Sequence, residues 1–150
     1  MAEIAVTKLA LKDAHELAPL VAASVQDRKR GAPRAPDQYY AELLLKDRTA
    51  EIIGARLDGN LVGYAVFFDL PDTMTGMRTG QLDDLFVIQH ARGRRIGQAL
   101  IDALAAEGER RGWQQLRWMV PEKPATARRF AERLARSGGW LTYSVELARK

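Results

Sequence analysis

The sequence predicts a mixed α/β (α+β) fold, in which a mostly antiparallel sheet is flanked by about four helices. Two β-rich runs are joined by Asp58, Gly59 and Asn60, and aspartate followed by glycine readily supplies the positive φ angles of a tight hairpin. A strand, an amphipathic helix and another strand then follow one another over residues 80–120. That order requires a right-handed crossover and gives one parallel strand pair.

Length and composition predict a single soluble domain over residues 1–150. The chain has 47% hydrophobic and 28% charged residues, no internal repeat, and no run near the roughly 20 apolar residues that cross a bilayer. Its first residues lack the basic start and apolar core of a secretory signal, so we expect a cytoplasmic location and no membrane partner. Because there are no cysteines and only two isolated histidines, we expect no metal site.

The N-terminal third is predicted to form one strand and two helices. Weak alternation of apolar residues indicates a first strand over Glu3–Leu11. Asp13 is a candidate N-cap for a helix over Ala14–Lys29, whose apolar residues recur at helical spacing. After a loop rich in arginine and proline over residues 27–37, Asp37 is expected to cap a second, shorter helix.

The hairpin supplies strands two and three, and a fourth strand is predicted over Gly80–Gln89. Residues 69–81, which contain proline and glycines, are expected to form a loop before it. Alternation along the fourth strand predicts two faces. One face is expected to carry Leu82, Asp84, Phe86 and Ile88, and the other Asp83, Leu85 and Val87.

The remaining chain is predicted to form two helices and two strands. Helical spacing begins at about Ile96, and Gly112 is expected to end that helix. A fifth strand follows over Trp113–Val120, and a further helix over about Ala125–Arg136. Glycines then precede a final strand over Trp140–Leu147.

A loop rich in arginine and glycine separates the fourth strand from its helix and predicts an anion site. The first N–H groups of a helix lack intrahelical acceptors and carry about half a positive charge. Gly93 and Gly97 would let a phosphate approach these groups, while Arg92, Arg94 and Arg95 add charge-assisted hydrogen bonds. A solvated basic turn is the alternative. The spacing matches neither a Walker loop nor a dinucleotide fingerprint, which excludes both nucleotide-binding classes.

This segment resembles the pyrophosphate-binding segment of the GNAT superfamily of acyl-CoA-dependent N-acetyltransferases. That family has Q/R-x-x-G-x-G/A after its fourth strand, preceded five residues earlier by a strand-end valine. Here Arg92 opens the motif, Gly97 closes it, and Val87 stands five positions before Arg92. One position departs, because Arg95 replaces the first glycine of the motif. The order of elements resembles the family over about Glu51–Val145.

The resemblance implies a six- to seven-stranded sheet that is splayed between strands four and five, with acetyl-CoA as cosubstrate and no metal. In this family the pantetheine arm pairs with the fourth strand like an added strand, and loop amides hold the pyrophosphate. Small proteins resembling this family are often homodimers. The implied cofactor-binding residues are Leu85, Phe86 and Val87 for pantetheine, Arg92, Gly93, Arg94, Arg95, Ile96, Gly97 and Gln98 for pyrophosphate, and Pro124, Ala127 and Phe130 near the acetyl end.

Acetyl transfer to an amine needs a group that takes a proton. An alkyl ammonium has a pKa of about 10.4, so on the order of one molecule in a thousand is unprotonated near neutral pH. Asp83 and Asp84 are candidate catalytic carboxylates, because adjacent carboxylates at a strand centre are costly unless they face water, a hydrogen-bond network or a cation. They resemble the LEDFFV strand of diamine acetyltransferases. An alternative is that Asp84 only ties down a neighbouring loop.

The general acid of the family, a tyrosine, has no counterpart at the matching position. When Phe130 is aligned with the phenylalanine of the family's helix motif, the tyrosine position is Ala131. Tyr143 or an ordered water could protonate the departing thiolate, or the thiolate could leave unassisted, because its pKa is roughly 8.5. A role in the sheet is the alternative for Tyr143.

The acceptor is expected to be a primary amine on a small molecule or a peptide, but the charge cues conflict. The basic loop over residues 27–37 would repel a polyamine, whereas Asp69, Asp72, Asp83 and Asp84 would attract one. Two other functions stay open. One is an acyl-CoA-binding module without catalysis, suggested by the two departures from the family motifs. The other is a basic nucleic-acid-binding domain, suggested by a pI of about 9.6 and by Arg28, Arg30, Arg92, Arg94, Arg95, Arg110 and Arg111.

Overall fold

The structure is a computed structural model and describes residues 3–29 and 35–148. The chain divides into two units, of which the first ends at Met119 and the second begins at Val120. The first unit holds a sheet of order β1-β2-β3-β4-β5, in which only β4 and β5 are parallel among the described strands. The predicted fold class is confirmed, and residues 3–29 and 35–148 contain four α-helices and five strands instead of six to seven strands. The elements are β1 Ile4–Lys8, α1 Ala14–Lys29, α2 Gln38–Lys46, β2 Glu51–Leu57, β3 Asn60–Asp72, β4 Met77–Val87, α3 Ile96–Arg111, β5 Trp113–Trp118 and α4 Ala125–Leu134.

The start of each N-terminal helix follows from a nearby aspartate. Asp37 accepts a hydrogen bond from the N–H of Tyr40 at 3.0 Å, as predicted for an N-cap. Asp13 precedes α1 as predicted, but its carboxylate accepts from the N–H of Ala10 at 2.8 Å and pairs with Arg56 at 3.0 Å. It therefore fixes the turn before the helix and joins it to β2.

The hairpin between β2 and β3 is confirmed at the predicted turn. Asp58 and Gly59 have φ angles of 49° and 86°, which are the left-handed values that a two-residue hairpin requires. The expected loop over residues 69–81 is wrong, because β3 continues to Asp72 and β4 starts at Met77. Pro71 is tolerated inside β3 because β2 pairs with β3 only as far as Phe67, which leaves that part of β3 without a neighbour on one side.

A β-bulge interrupts β4 at Asp83. Val66 lies opposite Asp84 and the next residue, Phe67, lies opposite Leu82, so Asp83 is the extra residue. The bulge reverses the alternation that a regular strand would have. The prediction that Leu82 and Asp84 share a face is therefore wrong: Asp84 faces the same side as Val66, and Leu82 faces the side of Phe67.

The two faces of the sheet are covered by different helices. Helices α1 and α2 pack on the face of Tyr64, Val66 and Phe86. Helix α3 lies on the other face, where a Cβ at Gly80 or at Gly108 would come within 2.3 or 2.4 Å of the Trp113 ring. The fully buried members of the core include Leu17, Ala41, Tyr64, Phe67, Ile96, Leu100 and Leu104.

The ladder between β4 and β5 ends early. Its last paired residues are Leu82 and Trp118, so β5 has no partner among Asp83–Val87, the second half of β4. The ladder stops there because β5 itself ends at Trp118, whereas β4 continues to Val87. One edge of β4 is therefore without a β5 partner at its C-terminal end.

A charged cluster ties the end of α3 to the sheet. Arg111 donates to both carboxylate oxygens of Glu51, at 2.6 and 2.8 Å, and also to Asp69 and Glu107. The hydrogen bonds from Arg111 lower the pKa of the Glu51 carboxyl below its ordinary value, although partial burial acts in the opposite direction.

Stability is expected to fall as acid protonates this cluster. A carboxyl whose folded pKa is lowered stabilises the fold above its unfolded pKa, and that contribution is lost as pH falls through the folded pKa. Glu51→Gln should therefore reduce the free energy of unfolding near pH 7 and flatten its decline toward about pH 3, measured by urea unfolding. The exposed Glu109→Gln variant is the control, and its free energy of unfolding should depend on pH as that of the native protein does. The same pH dependence in Glu51→Gln and in the native protein would contradict the stabilising role of the Glu51 carboxylate.

The described part of the second unit, residues 120–148, contains one helix, and the predicted final strand does not form there. Helix α4 starts after Pro124, as expected. Residues 135–148 contain no strand, and the side chains of Trp140, Leu141, Tyr143, Val145 and Leu147 are exposed. Strand-forming side chains give a strand only when the backbone finds a partner to pair with, and within this unit residues 140–147 have no ladder.

Candidate functional site

The loop between β4 and α3 contains two residues in the left-handed conformation. Gly93 and Arg95 have φ angles of 82° and 62°, and Arg95 is the residue before α3. Left-handed residues that alternate with ordinary ones turn successive N–H groups toward the same side and make a concave anion site. The left-handed conformation at Arg95 also explains why the GNAT motif has glycine at this position.

The backbone N–H groups at the two ends of this loop donate hydrogen bonds within the described chain, whereas those between them do not. Arg92 N–H donates to the carbonyl of Gln89 at 3.2 Å, and Ala99 N–H donates to that of Arg95 at 3.0 Å. For residues 93–98, no hydrogen bond from a backbone N–H to the described part of the chain is present, and Arg95 provides no side-chain cap. These six N–H groups can donate hydrogen bonds to an anion.

Arg92 holds the loop to the end of β4. Its Nε donates to the carbonyl of Val87 at 2.9 Å, its Nη2 pairs with Asp27 at 3.1 Å, and its guanidinium lies 5.6 Å from the centre of the Phe86 ring. This contact gives a physical reason for the five-residue spacing between Val87 and Arg92. The backbone of Leu85, Phe86 and Val87 forms the part of β4 that β5 leaves unpaired.

Replacing Arg95 by glycine is expected to stabilise the fold. A residue other than glycine in the left-handed region costs roughly 1 kcal/mol, so Arg95→Gly should raise the free energy of unfolding by about 0.5–1 kcal/mol. Arg94→Gly is the matched control, since Arg94 has no positive φ and should gain nothing. Thermal unfolding of the two variants measures the difference, and equal midpoints would contradict the strain at Arg95.

On the sheet face covered by α1 and α2, the Asp84 carboxylate accepts hydrogen bonds from two polar side chains. Tyr64 donates from its hydroxyl to Asp84 Oδ2 at 2.9 Å, and Arg28 Nη2 donates to Asp84 Oδ1. Burial of Tyr64, and next the negative charge of Asp84, raises the pKa of the Tyr64 phenol. The phenol therefore stays protonated and remains a hydrogen-bond donor. Asp83, in the bulge, is exposed.

These side chains line a cavity of about 210 Å³ between the two N-terminal helices and the sheet. Both Asp83 and Asp84 belong to its lining. Arg28 and Tyr64 also belong to it, and neither was predicted from the sequence as a member of this site. Their only signal was indirect: Arg28 belongs to the basic segment whose charge conflicted with the four aspartates. The lining consists of Val21, Ser24, Val25, Arg28, Tyr40, Leu44, Tyr64, Val66, Asp83 and Asp84.

The other predicted site residues lie in the second unit. Pro124 is the N-cap of α4, Ala127 and Phe130 are partly buried on that helix, and Arg133 lies 5.8 Å from the centre of the Phe130 ring. Tyr143 is 86% exposed in an irregular segment, so the alternative role for it in a sheet is wrong.

Most of the arginines that suggested a nucleic-acid surface are paired with carboxylates. Arg28 pairs with Asp84, Arg92 with Asp27, Arg110 with Glu107, and Arg111 with Glu51 among others. Arg30 lies outside the described residues. Arg94 and Arg95 belong to the anion-binding loop. The paired arginines therefore lend no support to a nucleic-acid interface.

Two classes of site find no support in the described residues, 3–29 and 35–148. No three or more histidine or carboxylate side chains in this part of the chain are grouped so that they could hold a metal ion. None of its helices combines the length and apolar character that would be needed to cross a membrane.

Comparison with known proteins identifies the family and the fold. The Acetyltransferase (GNAT) family matches over residues 17–135. Thialysine N-epsilon-acetyltransferase of Mus musculus is 34% identical over 105 residues, which are 65% of this chain and 61% of the mouse enzyme. The chain thus matches less than two thirds of the length of that enzyme.

Solved structures give the same fold over nearly the whole chain. A ribosomal-protein-alanine N-acetyltransferase from Brucella melitensis biovar Abortus 2308 is 45% identical, with a TM-score of 0.88, over 97% of this chain and 99% of its own. An aminoglycoside acetyltransferase from an uncultured soil metagenomic sample, solved with sisomicin, is 19% identical with a TM-score of 0.79, over 98% of this chain and 97% of its own. At that identity the second likeness concerns the fold alone.

Proposed function

Because this chain belongs to the Acetyltransferase (GNAT) family, we propose that it transfers an acetyl group from acetyl-CoA to a primary amine of a small molecule or a peptide. The mouse enzyme and the Brucella melitensis protein have names that specify acetylation of thialysine and of a ribosomal-protein alanine. Both names describe N-acetylation. The family match spans both units, which supports our proposal that residues 1–150 act as one acetyltransferase domain.

The observation that carries this proposal is the set of amides at residues 93–98. They have no acceptor in the described chain, they stand at the positive end of α3, and the run includes the basic residues Arg94 and Arg95. A pyrophosphate fits this set in charge and in its need for several donors. Arg92, whose guanidinium already binds the Val87 carbonyl, is proposed to position the loop.

The free edge of β4 supports the position of the pantetheine arm. Residues 83–87 lack a β5 partner, so an extended amide-bearing chain could pair with Leu85, Phe86 and Val87 in the way that a strand is added to a sheet. Such an arm would leave the amide cluster and run along β4 toward the bulge at Asp83. We propose that Pro124, Ala127 and Phe130 contribute to the acetyl end.

Asp84 is proposed as the catalytic carboxylate. When bound, acetyl-CoA supplies the activated acyl group, and the chain must hold the acceptor's ammonium and remove its proton. The Asp84 side chain is 19% exposed and opens into the cavity, and Tyr64 fixes one of its oxygens. A partly desolvated, oriented carboxylate can bind an ammonium ion and take its proton. Asp83 is exposed, holds no such partner in the described chain, and is proposed to attract the cation.

The departing thiolate needs a proton. Tyr143 is the candidate from the sequence, and solvent water is the alternative that fits its exposed position. A thiolate with a pKa of roughly 8.5 is a moderate leaving group, so its departure with a proton from water carries only a small penalty near neutral pH.

Isothermal calorimetry with acetyl-CoA, followed by a CoA-release assay over a panel of primary amines, tests the proposal. We expect micromolar to millimolar binding and turnover with at least one amine. Folded protein that fails to bind millimolar acetyl-CoA would refute it. Binding without turnover over the whole panel would instead favour the non-catalytic acyl-CoA-binding module, which the residues Arg95 and Ala131 suggest.

A further inference from the structure

The cavity beside Asp84 already holds a cation of the chain itself. Arg28, at the C-terminal end of α1, donates to one oxygen of Asp84, while Tyr64 donates to the other at 2.9 Å. The Arg28 side chain is 61% exposed and that of Asp84 is 19% exposed. The guanidinium therefore lies at the mouth of the cavity, and the carboxylate lies deeper inside it.

The charges in this cavity do not suit a simple polyamine. Its charged lining residues are Arg28, Asp83 and Asp84, and its other walls are mainly apolar and aromatic. An ammonium ion that reaches Asp84 must share that carboxylate with the Arg28 guanidinium or displace it. Two cations around one carboxylate repel each other, and a guanidinium that has been displaced loses a charge-assisted hydrogen bond.

An acceptor with a carboxylate of its own removes this conflict. Its carboxylate would bind Arg28 while its ammonium binds Asp84, so that charges of opposite sign alternate through the cavity. The Arg28 side chain can make this exchange because it is long and mostly exposed. Its planar guanidinium also matches a carboxylate with two parallel hydrogen bonds, which an ammonium group cannot do.

We propose that Arg28 is a specificity-determining residue that selects acceptors carrying a carboxylate together with the primary amine, so that the substrate class is an amino acid and not a polyamine. The proposal rests on the acetyltransferase function proposed above. It accounts for the opposite charge cues in the sequence: Arg28 recognises the carboxylate of the acceptor, and Asp84 recognises its amine.

Three related acceptors test this selection. L-lysine, L-lysinamide and 1,5-diaminopentane each carry two primary amines, but only L-lysine has a carboxylate. We expect the native protein to acetylate L-lysine with a kcat/KM about 10- to 100-fold above that for the other two, the usual scale for one bidentate charged contact. Initial rates of CoA release give these ratios, and calorimetry gives the acetyl-CoA dissociation constant for each variant.

Two variants of Arg28 separate its charge from its bulk. Arg28→Met keeps a long side chain without charge and should bring the three acceptors within about threefold of one another. Arg28→Glu should reverse the preference toward 1,5-diaminopentane, because it adds a third carboxylate to the cavity. Arg110→Met changes net charge equally, on α3 and outside the cavity lining, and should keep the native ratios. Binding of acetyl-CoA should be unchanged in all three variants.

Each result decides the proposal. A native preference for L-lysine that Arg28→Met abolishes supports it. Equal use of the three acceptors by the native protein, an unchanged preference in Arg28→Met, or acetyl-CoA binding with no acetylation of L-lysine would overturn it. If the native protein does not bind acetyl-CoA at all, that result would instead refute the acetyltransferase function itself.

Discussion

Replacing Gly97 by valine is expected to weaken acetyl-CoA binding by about 2–4 kcal/mol, which is roughly 30- to 1,000-fold in dissociation constant. Gly97 is the second residue of α3 and lies within the run of amides, residues 93–98, that have no acceptor in the described chain. A β-branched side chain there would fill space through which a phosphate must approach the N–H groups. Several charge-assisted hydrogen bonds would then lengthen together.

This loss should occur without unfolding. Valine has a better helix propensity than glycine, so the substitution does not weaken α3 by itself. Gly97→Ala should show a smaller loss, and Ala105→Val is the matched control, because it places the same side chain on the exposed face of α3 more than two turns away. Calorimetry with acetyl-CoA compares the three proteins, and circular dichroism checks their fold. Normal binding by folded Gly97→Val would show that the pyrophosphate lies elsewhere.

Features that depend on residues close in sequence were predictable. The turn at Asp58 and Gly59, the cap at Asp37 and the end of α3 at Gly112 each follow from a backbone angle or a local hydrogen bond. The anion-binding loop belongs to the same class, since glycine content and helix position are both visible in the sequence. Arg95 adopts the left-handed conformation expected of the glycine that it replaces.

Features that depend on partners far apart in sequence were not predictable. Arg28 and Asp84 are 56 positions apart, and the pair exists only because α1 packs against the face of the sheet that carries Asp84. The bulge at Asp83 arises from the register between β3 and β4, which alternation along one strand cannot reveal. It places Asp84, partly buried, opposite Val66 on the face covered by α1 and α2, and it leaves Asp83 exposed.

The final strand, which was predicted but does not form, also depends on a partner that the sequence does not reveal. Residues 140–147 have the composition of a strand, with tryptophan, tyrosine, valine and leucine in near alternation. Such a composition favours a strand only when another strand is available to pair with it. In the described residues of the second unit no ladder forms, and the apolar side chains stay exposed. The sequence therefore overestimates the number of strands although it predicts the fold class.

Replacing Asp84 by asparagine is expected to lower kcat about 100- to 1,000-fold, the usual effect of removing a general base. Asparagine has nearly the same shape, and its carbonyl oxygen can still accept the hydrogen bond from Tyr64, so the cavity should keep its geometry. Acetyl-CoA binding should stay unchanged, because the amide cluster lies beyond the end of β4. Steady-state CoA release with a saturating amine measures the loss.

The pH profile separates a catalytic Asp84 from a structural one. A base is needed because the acceptor amine is mostly protonated near neutral pH, and this need declines as pH approaches an amine pKa of about 10.4. The deficit of Asp84→Asn should therefore shrink as pH rises, whereas damage to packing would persist at every pH. Asp83→Asn is the matched control: it removes the neighbouring charge at the exposed bulge and should lower kcat less than about tenfold. Equal losses in the two variants, or a deficit that does not change with pH, would show that Asp84 only supports the structure.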